Sequence, residues 1–330
     1  MNTQLMRAWQ VSQWCEPEDM TLNEIGVVEP GPSQVRIRNR ASSLNFFDLL
    51  QIQGKYQVKP PFPFTPGAEV AGVVEAVGAA VTNVAVGNSV LAFTQGGGFA
   101  ETSMAESART FRVPPGMDFG QAAALPIVYH TSWLALHQRG ALKAGETLLV
   151  HAGASGVGMS AIQIGKALGA KVIATAGDDR KVQFAIEQGA DHALNYSTPD
   201  WVEKVKDLTG RKGADVIYDP VGADVFDLST KCIASEGRIL VIGFAGGRIP
   251  SIQTNRILLK NISVVGVFWG DYVNTRPWYL SETQTALEAM FAAGKINPVV
   301  GARYSLAQAP AALRDLGARK VIGKAVLEFK

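Results

Sequence analysis

Apolar and polar positions follow two periods along the C-terminal two-thirds of the chain, and these periods predict alternating strands and helices. A short apolar run at Leu148–Val150 is typical of a buried strand, and residues 162–168 then carry apolar side chains at helical spacing. A second apolar run follows at Val172–Ala174. The same pattern continues, and it predicts helices at Arg180–Gln188, Trp201–Leu208 and Val225–Ala234 and strands at Ala193–Asn195, Asp215–Tyr218, Arg238–Ile242 and Ile262–Phe268. This alternation predicts a parallel sheet with helices on both faces.

Residues 1–125 have a different pattern, in which short strands are separated by Gly and Pro. The predicted strands are Gln34–Arg38, Glu69–Val77 and Ser89–Ala92. After Gly270 the pattern predicts helices at Thr283–Ala293 and Ala307–Leu316 and a strand at Lys324–Phe329. The chain therefore divides into a β-rich unit and a doubly wound unit, and a cleft between two such units is a natural ligand site.

A glycine-rich turn joins the first of these strands to its helix. It contains Gly153, Ala154, Ser155, Gly156, Val157 and Gly158. We expect Gly153 to allow the sharp turn, Gly156 to let backbone N–H groups approach a pyrophosphate, and Gly158 to let the helix pack closely. Ser155 takes the place of the middle glycine of the usual spacing, but the strand–helix–strand context favours a dinucleotide site over an ordinary tight turn.

Composition limits the possible functions. The 330 residues are 47% hydrophobic and 18% charged, with 31 Lys+Arg against 29 Asp+Glu. A net charge of +2 argues against a nucleic-acid binder. Residues 1–20 lack the apolar core of a signal peptide and no run is long enough to span a membrane, so we expect a cytoplasmic protein.

The cysteines and histidines give no sign of a metal site. Cys15 and Cys232 lie far apart, which excludes a zinc site built from cysteines, and both are predicted to be small buried hydrophobes. None of the four histidines has the spacing of a metal pair or a catalytic pair. His151, beside the glycine turn, is predicted to be structural.

Several long motifs resemble the medium-chain dehydrogenase/reductase superfamily. They are Pro66–Val74, Val86–Val90, Tyr129–Leu136, the glycine turn and Asn261–Gly270. The resemblance covers nearly the whole chain. It implies an α/β fold in which a GroES-like, β-rich catalytic domain (residues 1–125 and 269–330) accompanies a Rossmann domain with a doubly wound parallel sheet (residues 126–268).

The chain departs from the zinc alcohol dehydrogenases of that superfamily. Ala68 stands where their zinc-binding histidine would be, and the stretch Ser42–Asp48 contains no cysteine. Without these ligands no Lewis acid is available at that place. The zinc-independent branch, the NADPH:quinone oxidoreductases that include zeta-crystallin, is the better match. The stretches that match this branch are Leu44–Phe46 together with Asp48, Gly54–Tyr56, Asn255–Lys260 and Val265–Gly270.

In many such folds an acidic residue at the end of the second strand binds the ribose 2′-OH and selects NAD. In this chain that position is Ala176. Asp178 and Asp179 follow too late and are better explained as helix caps. By resemblance, Lys181, Tyr196 and Arg319 surround a 2′-phosphate, which favours NADPH over NADH. The alternative is that Lys181 is a solvated helix residue and Tyr196 a packing residue.

The resemblance also implies roles for other residues. Asn45 and Tyr56 would be catalytic and line the substrate cleft, with Asn45 also near the nicotinamide. Thr131 and the backbone of Phe268, Trp269 and Gly270 would hold the carboxamide. The adenosine and nicotinamide riboses would lie between Val221 with Gly222 and Gly243 with Phe244. Asn45 could instead be a turn residue, Tyr56 a half-exposed loop aromatic, and Asp48 a structural hydrogen-bond partner. Leu50 replaces a tyrosine or threonine of related enzymes, which removes one candidate proton donor.

These observations predict an oxidoreductase that transfers hydride from NADPH to a quinone or similar conjugated carbonyl, with a small molecule as its partner. One alternative is a reductase of activated C=C bonds in enones, acrylate-type compounds or enoyl thioesters. Thioesters rank lower, since no basic patch for a phosphorylated carrier is evident in the sequence. Another alternative is a cofactor-binding protein with little turnover. The apolar edge strand Ile262–Phe268 predicts a homodimer or a dimer of dimers.

Overall fold

A computed structural model describes residues 4–330 and divides the chain into two compact units. The first unit runs to Ile127 and resumes at Pro298–Lys330, and the second is Val128–Asn297. The predicted domains differ from this division at residues 126–127, which lie in the first unit, and at residues 269–297, which pack with the second unit. Gln284 of this segment accounts for part of the difference, because its Oε1 lies 2.9 Å from the Nε2 of buried His130.

The described strands are β1 (Leu5–Gln10), β2 (Thr21–Gly26), β3 (Gln34–Leu44), β4 (Glu69–Val77), β5 (Ser89–Phe93), β6 (Thr102–Glu106), β7 (Thr110–Arg112), β8 (Thr147–Val150), β9 (Lys171–Ala176), β10 (His192–Asn195), β11 (Ala214–Asp219), β12 (Ile233–Val241), β13 (Ser263–Gly266), β14 (Val300–Ser305) and β15 (Lys324–Glu328). The α-helices are α1 (Phe46–Ile52), α2 (Phe119–Ala124), α3 (Pro126–Trp133), α4 (Gly156–Ala167), α5 (Asp179–Glu187), α6 (Trp201–Leu208), α7 (Ala223–Cys232), α8 (Thr254–Lys260), α9 (Trp269–Thr275), α10 (Trp278–Ala292) and α11 (Ala309–Gly317).

The first unit is built around a mixed sheet in the order β14-β15-β3-β4-β5-β7, with β6 also paired to β3 and with β1 and β2 forming a separate ribbon. Strand β3 continues to Leu44, well beyond the predicted Arg38. Its second half is hard to recognise because Ser42 and Ser43 are fully buried, so hydrophobic and polar positions do not alternate there. Pairing with β4 and β15 supplies the hydrogen bonds of this buried stretch.

The second unit contains a six-stranded parallel sheet in the order β10-β9-β8-β11-β12-β13. The strand order reverses between β8 and β11, which creates a topological switch point at their carboxyl ends. The predicted helix through Ala234 was too long, since α7 ends at Cys232 and β12 begins at Ile233. Glu236 has a φ of 62°, and this interruption inside β12 hid the first part of the strand.

The apolar residues of the central strands make the core of the second unit. Leu149, Ile217 and Ile239 on three neighbouring strands are fully buried, and helix α6 adds the fully buried side chain of Trp201. Cys232 is buried in the same cluster as predicted, whereas Cys15 of the first unit is only half-buried. Within residues 4–330, no helix combines the length and apolar character needed to cross a bilayer.

Candidate cofactor and substrate sites

The turn after β8 has a tighter geometry than its sequence alone indicates. Ala152, rather than Gly153, adopts the left-handed conformation, with a φ of 52°. Gly153 is needed for a different reason. A Cβ there would lie 3.0 Å from the Cβ of Ala174 and 3.3 Å from the Cδ1 of Ile162. The first glycine therefore lets the turn lie against β9 and α4, and the expected role of Gly153 in bending the chain was wrong.

Gly158 brings the first turn of α4 against the backbone of the same loop. A Cβ on Gly158 would lie 2.1 Å from the carbonyl oxygen of Ala152. Close packing against the sheet itself depends on Gly165, where a Cβ would lie 2.5 Å from Leu148 Cδ2. Gly158 therefore leaves no room for a side chain against the backbone, whereas a Cβ on Gly165 would displace the Leu148 side chain.

Ser155 caps α4 and leaves part of the helix terminus available. Its Oγ accepts a hydrogen bond from the Gly158 N–H at 3.1 Å and donates one to the Ala152 carbonyl at 2.8 Å. The N–H groups of Gly156 and Val157, the first two helical residues, have no partner within the helix. These N–H groups and the positive end of the helix dipole make a site for an anion such as a pyrophosphate.

The loops after β11 and β12 lie at the same carboxyl edge and are in contact with each other. Asp219 Oδ1 accepts from the N–H groups of Val221 and Gly222 at 2.8 and 2.9 Å. Gly222 has a φ of 68°, and a Cβ on it would lie 3.1 Å from Phe244 Cδ1. The structure therefore gathers Val221, Gly222, Gly243 and Phe244, the residues that the sequence analysis placed beside the riboses.

Two of the three residues expected to recognise the ribose phosphate, Lys181 and Tyr196, lie near the end of β9. Ala176 is the last residue of β9, and Asp178 caps α5 by accepting from the Lys181 N–H. The Lys181 ammonium lies 3.2 Å from Asp178 Oδ2, and the lysine side chain is 22% exposed. Tyr196 reaches the same turn, since its hydroxyl would lie 3.3 Å from a Cβ on Gly177. Lys181 and Tyr196 thus both border the turn that contains Gly177 and Asp178.

Helices α3 and α9, which carry Thr131 and Trp269, are in contact through His130. His130, the neighbour of Thr131, packs edge-on against Trp269 with ring centroids 6.1 Å apart. Burial lowers the His130 pKa to about 4, so its imidazole is neutral at physiological pH. Phe268 precedes α9 and has 49% of its surface exposed, while Gly270 lies in the first turn.

In the first unit, Asn45 lies within a buried polar network. Its Nδ2 donates to Glu69 Oε1 at 2.7 Å, and its Oδ1 accepts from the Lys324 ammonium at 2.8 Å. Lys324 also pairs with Glu69 Oε1 at 2.9 Å, and these two ionic side chains are 3% and 0% exposed. The opposite charges fix which way the Asn45 amide faces, because only its oxygen can accept from Lys324.

Asp48 and Tyr56 lie beside this network. Asp48 Oδ2 accepts from the Asn45 N–H at 2.7 Å, which forms a capping box at the start of α1. Complete burial raises the Asp48 pKa to about 7, although backbone N–H groups and Lys324 act in the other direction. Tyr56 stacks on Phe47 with ring centroids 5.3 Å apart. Burial, and then the nearby Asp48, raise the pKa of the Tyr56 phenol.

Sequence reasoning missed Glu69 and Lys324 as partners of Asn45. The available signals were two charged residues in apolar strands, Glu69 and Lys324. They lie 255 positions apart, so the sequence did not indicate that they pair.

His151 was predicted correctly as structural. Its ring nitrogens lie 2.8 Å from hydroxyls of Thr175 and Ser229, and burial lowers its pKa to about 4.

Arg319 lies in the first unit with a φ of 58°, and its role toward the phosphate stays a prediction.

Two family models match this chain, one over the β-rich part and one over the part with the parallel sheet. The alcohol dehydrogenase GroES-like domain matches residues 31–125, and the zinc-binding dehydrogenase model matches residues 156–291. Quinone oxidoreductase from Pseudomonas aeruginosa is 35% identical over 321 residues, which cover 96% of this chain and 98% of that protein. The chain belongs to the quinone oxidoreductase family of medium-chain dehydrogenases/reductases. It is therefore an oxidoreductase with a GroES-like domain and a Rossmann domain.

Two further relatives agree with this family. Quinone oxidoreductase-like protein 2 of Rattus norvegicus is 38% identical over 314 residues, covering 95% of this chain and 90% of that protein. The crystal structure of Escherichia coli quinone oxidoreductase complexed with NADPH is 29% identical. It superposes with a TM-score of 0.91 and covers 98% of this chain and 100% of that one. Among residues 4–330, no three His, Cys, Asp or Glu side chains are grouped as metal ligands.

Proposed function

We propose that this oxidoreductase transfers hydride from NADPH to a quinone or similar conjugated carbonyl, and that it does so without zinc. The observation that carries the proposal is the arrangement at the carboxyl edge of the parallel sheet. There the N-terminus of α4 offers N–H groups that have no partner within the helix, and β9 ends in Ala176 beside Lys181. An anion and a phosphorylated ribose fit this edge better than an unmodified ribose does.

The residues present fit NADPH. Gly153 and Gly158 let the turn and the first turn of α4 pack closely on β9 and on each other, and Ser155 holds the turn in place, so the N–H groups at the start of α4 stay at the carboxyl edge. Lys181 and Tyr196 would hold the 2′-phosphate. When bound, NADPH supplies the hydride, which no side chain can supply. The chain's own contribution is to bind the phosphates, to orient the nicotinamide through the neighbourhood of Thr131 and Trp269, and to position the acceptor.

The proposal that zinc is not required rests on the ligand positions. Ala68 replaces the histidine of the zinc enzymes, and residues 39–54 contain no cysteine. Alanine offers no metal-binding atom, so that position cannot contribute to a Lewis-acid centre.

Asn45 and Tyr56 are the side chains proposed to contact the acceptor. The Lys324–Glu69 pair orients the Asn45 amide, and the raised pKa of Tyr56 keeps its phenol protonated at neutral pH. A protonated phenol can donate a hydrogen bond or a proton. A quinone needs little such help, since its reduced oxygens take protons from water. The alternative function, reduction of an activated C=C bond, requires a proton at carbon and depends more on Tyr56.

The decisive assay follows NADPH oxidation with a panel of quinones, enones and acrylates, with and without a chelator. We expect the highest kcat/KM for quinones and no loss of rate in the chelator. A higher kcat/KM for enones would favour the C=C reductase. Loss of activity with removal of stoichiometric zinc would overturn the zinc-independent proposal, and absence of turnover on every acceptor would favour a cofactor-binding protein.

Replacing Lys181 should weaken NADPH binding selectively. Charge-assisted contacts to a phosphate contribute about 1.5–3 kcal/mol, so Lys181→Ala should raise the Kd for NADPH at least about tenfold. The Kd for NADH should stay unchanged. Fluorescence titration with both cofactors measures this. Lys204→Ala, which removes a lysine from the i,i+4 ion pair with Asp200 on α6, is the matched control and should change neither Kd. Tighter binding of NADH than NADPH by the wild type would contradict the assignment.

Removing the Tyr56 hydroxyl should separate the two acceptor classes. Tyr56→Phe keeps the stacking on Phe47, so the Kd for NADPH should stay within about twofold. The kcat/KM for an enone should fall about tenfold or more, and that for a quinone should fall less. Tyr304→Phe serves as the control, because it removes another half-buried phenol of the same unit. If Tyr56→Phe chiefly weakens NADPH binding, Tyr56 belongs to the cofactor site instead.

We also propose that the protein is a homodimer or a dimer of dimers formed through β13. This strand is the last in the sheet order and pairs only with β12 among the described strands. Val264 on it is 36% exposed, and Leu258 and Leu259 on the preceding helix are 74% and 79% exposed. An unpaired edge with apolar neighbours is suited to pairing with a second copy.

A charge on this edge should therefore dissociate the oligomer. We expect Val264→Lys to be monomeric at micromolar concentration by light scattering, because a buried unpaired ammonium strongly disfavours the interface. Val86→Lys is the control, since Val86 is 62% exposed and lies in the other unit. A monomeric wild type would refute the proposed interface.

A further inference from the structure

A cavity of about 240 Å³ lies at the amino edge of the parallel sheet, where Gly213 leads into β11 and Ile233 begins β12. Five cationic side chains line it: Lys206, Arg211, Lys212, Lys231 and Lys260. They come from α6, the loop that follows it, and the ends of α7 and α8. Lys206, Arg211 and Lys212 lie within seven positions of the chain, and folding brings Lys231 and Lys260 to them.

The charge of this pocket is not balanced by its surroundings. No Asp or Glu is among the lining residues. Glu203 and Asp207 on α6 pair with Lys206 and Arg211, at distances between 2.7 and 3.0 Å. Lys212 and Lys231 form no ion pair within residues 4–330, and both are exposed at the rim. Positive charge therefore exceeds negative charge at this point of the surface.

Lys260 is held in place by the backbone. Its ammonium donates to the carbonyl oxygens of Thr230 and Ile233 at 3.2 and 3.4 Å, at the C-terminal end of α7. A third N–H of this ammonium remains for a ligand. Lys206 and Lys260 both lie close enough to the Cys232 thiol to act on its pKa, yet burial raises that pKa to about 12. The thiol is neutral, so it offers no negative charge to these lysines.

We propose that this pocket is a second anion site, selective for a compact polyanion of the diphosphate class. Several ammonium groups and one guanidinium around a small cavity match the closely spaced negative oxygens of linked phosphoryl groups. The cavity is several times larger than one water molecule, which suits a diphosphate better than a single small ion. Strand β11 is six residues long, so the pocket lies about 20 Å from the carboxyl edge where NADPH is proposed to bind.

The pocket lies at the opposite edge of the sheet from the carboxyl edge where NADPH is proposed to bind, so the two anion sites can be occupied and tested separately.

The test measures binding of inorganic pyrophosphate by calorimetry to the full chain saturated with NADPH, which occupies the anion site at α4. We expect one pyrophosphate per chain. The variant Lys212→Ala/Lys231→Ala should raise its Kd about tenfold or more, since two charge-assisted contacts are lost. The control is Lys171→Ala/Lys295→Ala, which removes two exposed lysines of the same unit outside the pocket.

The outcomes are distinct. The proposal fails if the NADPH-saturated protein binds no pyrophosphate, or if both double variants weaken binding equally, which would indicate a general effect of net charge. It also fails if sulfate binds as tightly as pyrophosphate, because the pocket would then lack selectivity for linked phosphoryl groups. Failure of NADPH to bind at all would refute the proposed function instead. The paired variants would still report on this pocket.

Discussion

Lys324→Met is expected to destabilise the first unit by about 3–5 kcal/mol, the usual cost of breaking a buried ion pair. Methionine fills nearly the same volume, so packing changes little. The loss comes from Glu69, whose carboxylate is fully buried and would keep only the N–H donors of Asn45 and Ile127. Urea unfolding followed by circular dichroism measures the change.

A neutralising second substitution tests this explanation. In Lys324→Met/Glu69→Gln the charge pair is gone, and the Asn45 amide can rotate to accept from the new glutamine, so much of the lost stability should return. Lys320→Met is the matched control, since it removes a lysine that is 70% exposed and pairs with Asp315 at 3.4 Å. It should change stability by less than about 0.5 kcal/mol. If Lys324→Met is as stable as the wild type, the pair is not a buried charge pair.

Gly158→Ala should impair both stability and NADPH binding. The added Cβ would lie 2.1 Å from the Ala152 carbonyl oxygen and 2.7 Å from Gly153 Cα. Both are backbone atoms, so the first turn of α4 must move away from the loop. We expect a loss of about 1–3 kcal/mol in stability. The Kd for NADPH should rise about tenfold or more, since the N–H groups of the first turn would no longer aim at the pyrophosphate.

The same methyl group is tolerated elsewhere in the unit. A Cβ added to Gly266 on β13 would have no atom within 4 Å, and the φ of Gly266 is ordinary, so Gly266→Ala should leave the Kd for NADPH unchanged. Thermal unfolding and fluorescence titration of both variants make the comparison. An unaltered Kd in Gly158→Ala would mean that α4 does not bind the cofactor phosphates.

Local pattern was sufficient for much of the fold. The bounds of α6 and β4 agree with the prediction, because an amphipathic helix of eight residues and an apolar strand of nine each have a strong period. The edge position of β13 also follows the expectation. The pattern of apolar positions did not predict the second half of β3, where buried serines break the alternation. It also missed the start of β12, because the positive φ of Glu236 interrupts that strand.

The residues predicted for the cofactor in the second unit share one sheet edge because each is local to the end of its strand. Ser155, Lys181 and Gly222 each follow a strand of one parallel sheet, and the carboxyl ends of parallel strands meet at one edge. The order of strand ends along the chain was therefore enough to propose that these residues act together. Motif spacing did not reveal that Ala152, and not Gly153, carries the left-handed turn.

Contiguous motifs were enough to predict the family and the two kinds of unit. The surroundings of Asn45 became evident only in the folded chain, because its partners Glu69 and Lys324 lie in two other strands. The same is true of the basic pocket at the amino edge of β11 and β12, because Lys231 and Lys260 join Lys206, Arg211 and Lys212 only on folding. The physical reason is that charges interact through space, and separation along the chain does not determine the distance between them.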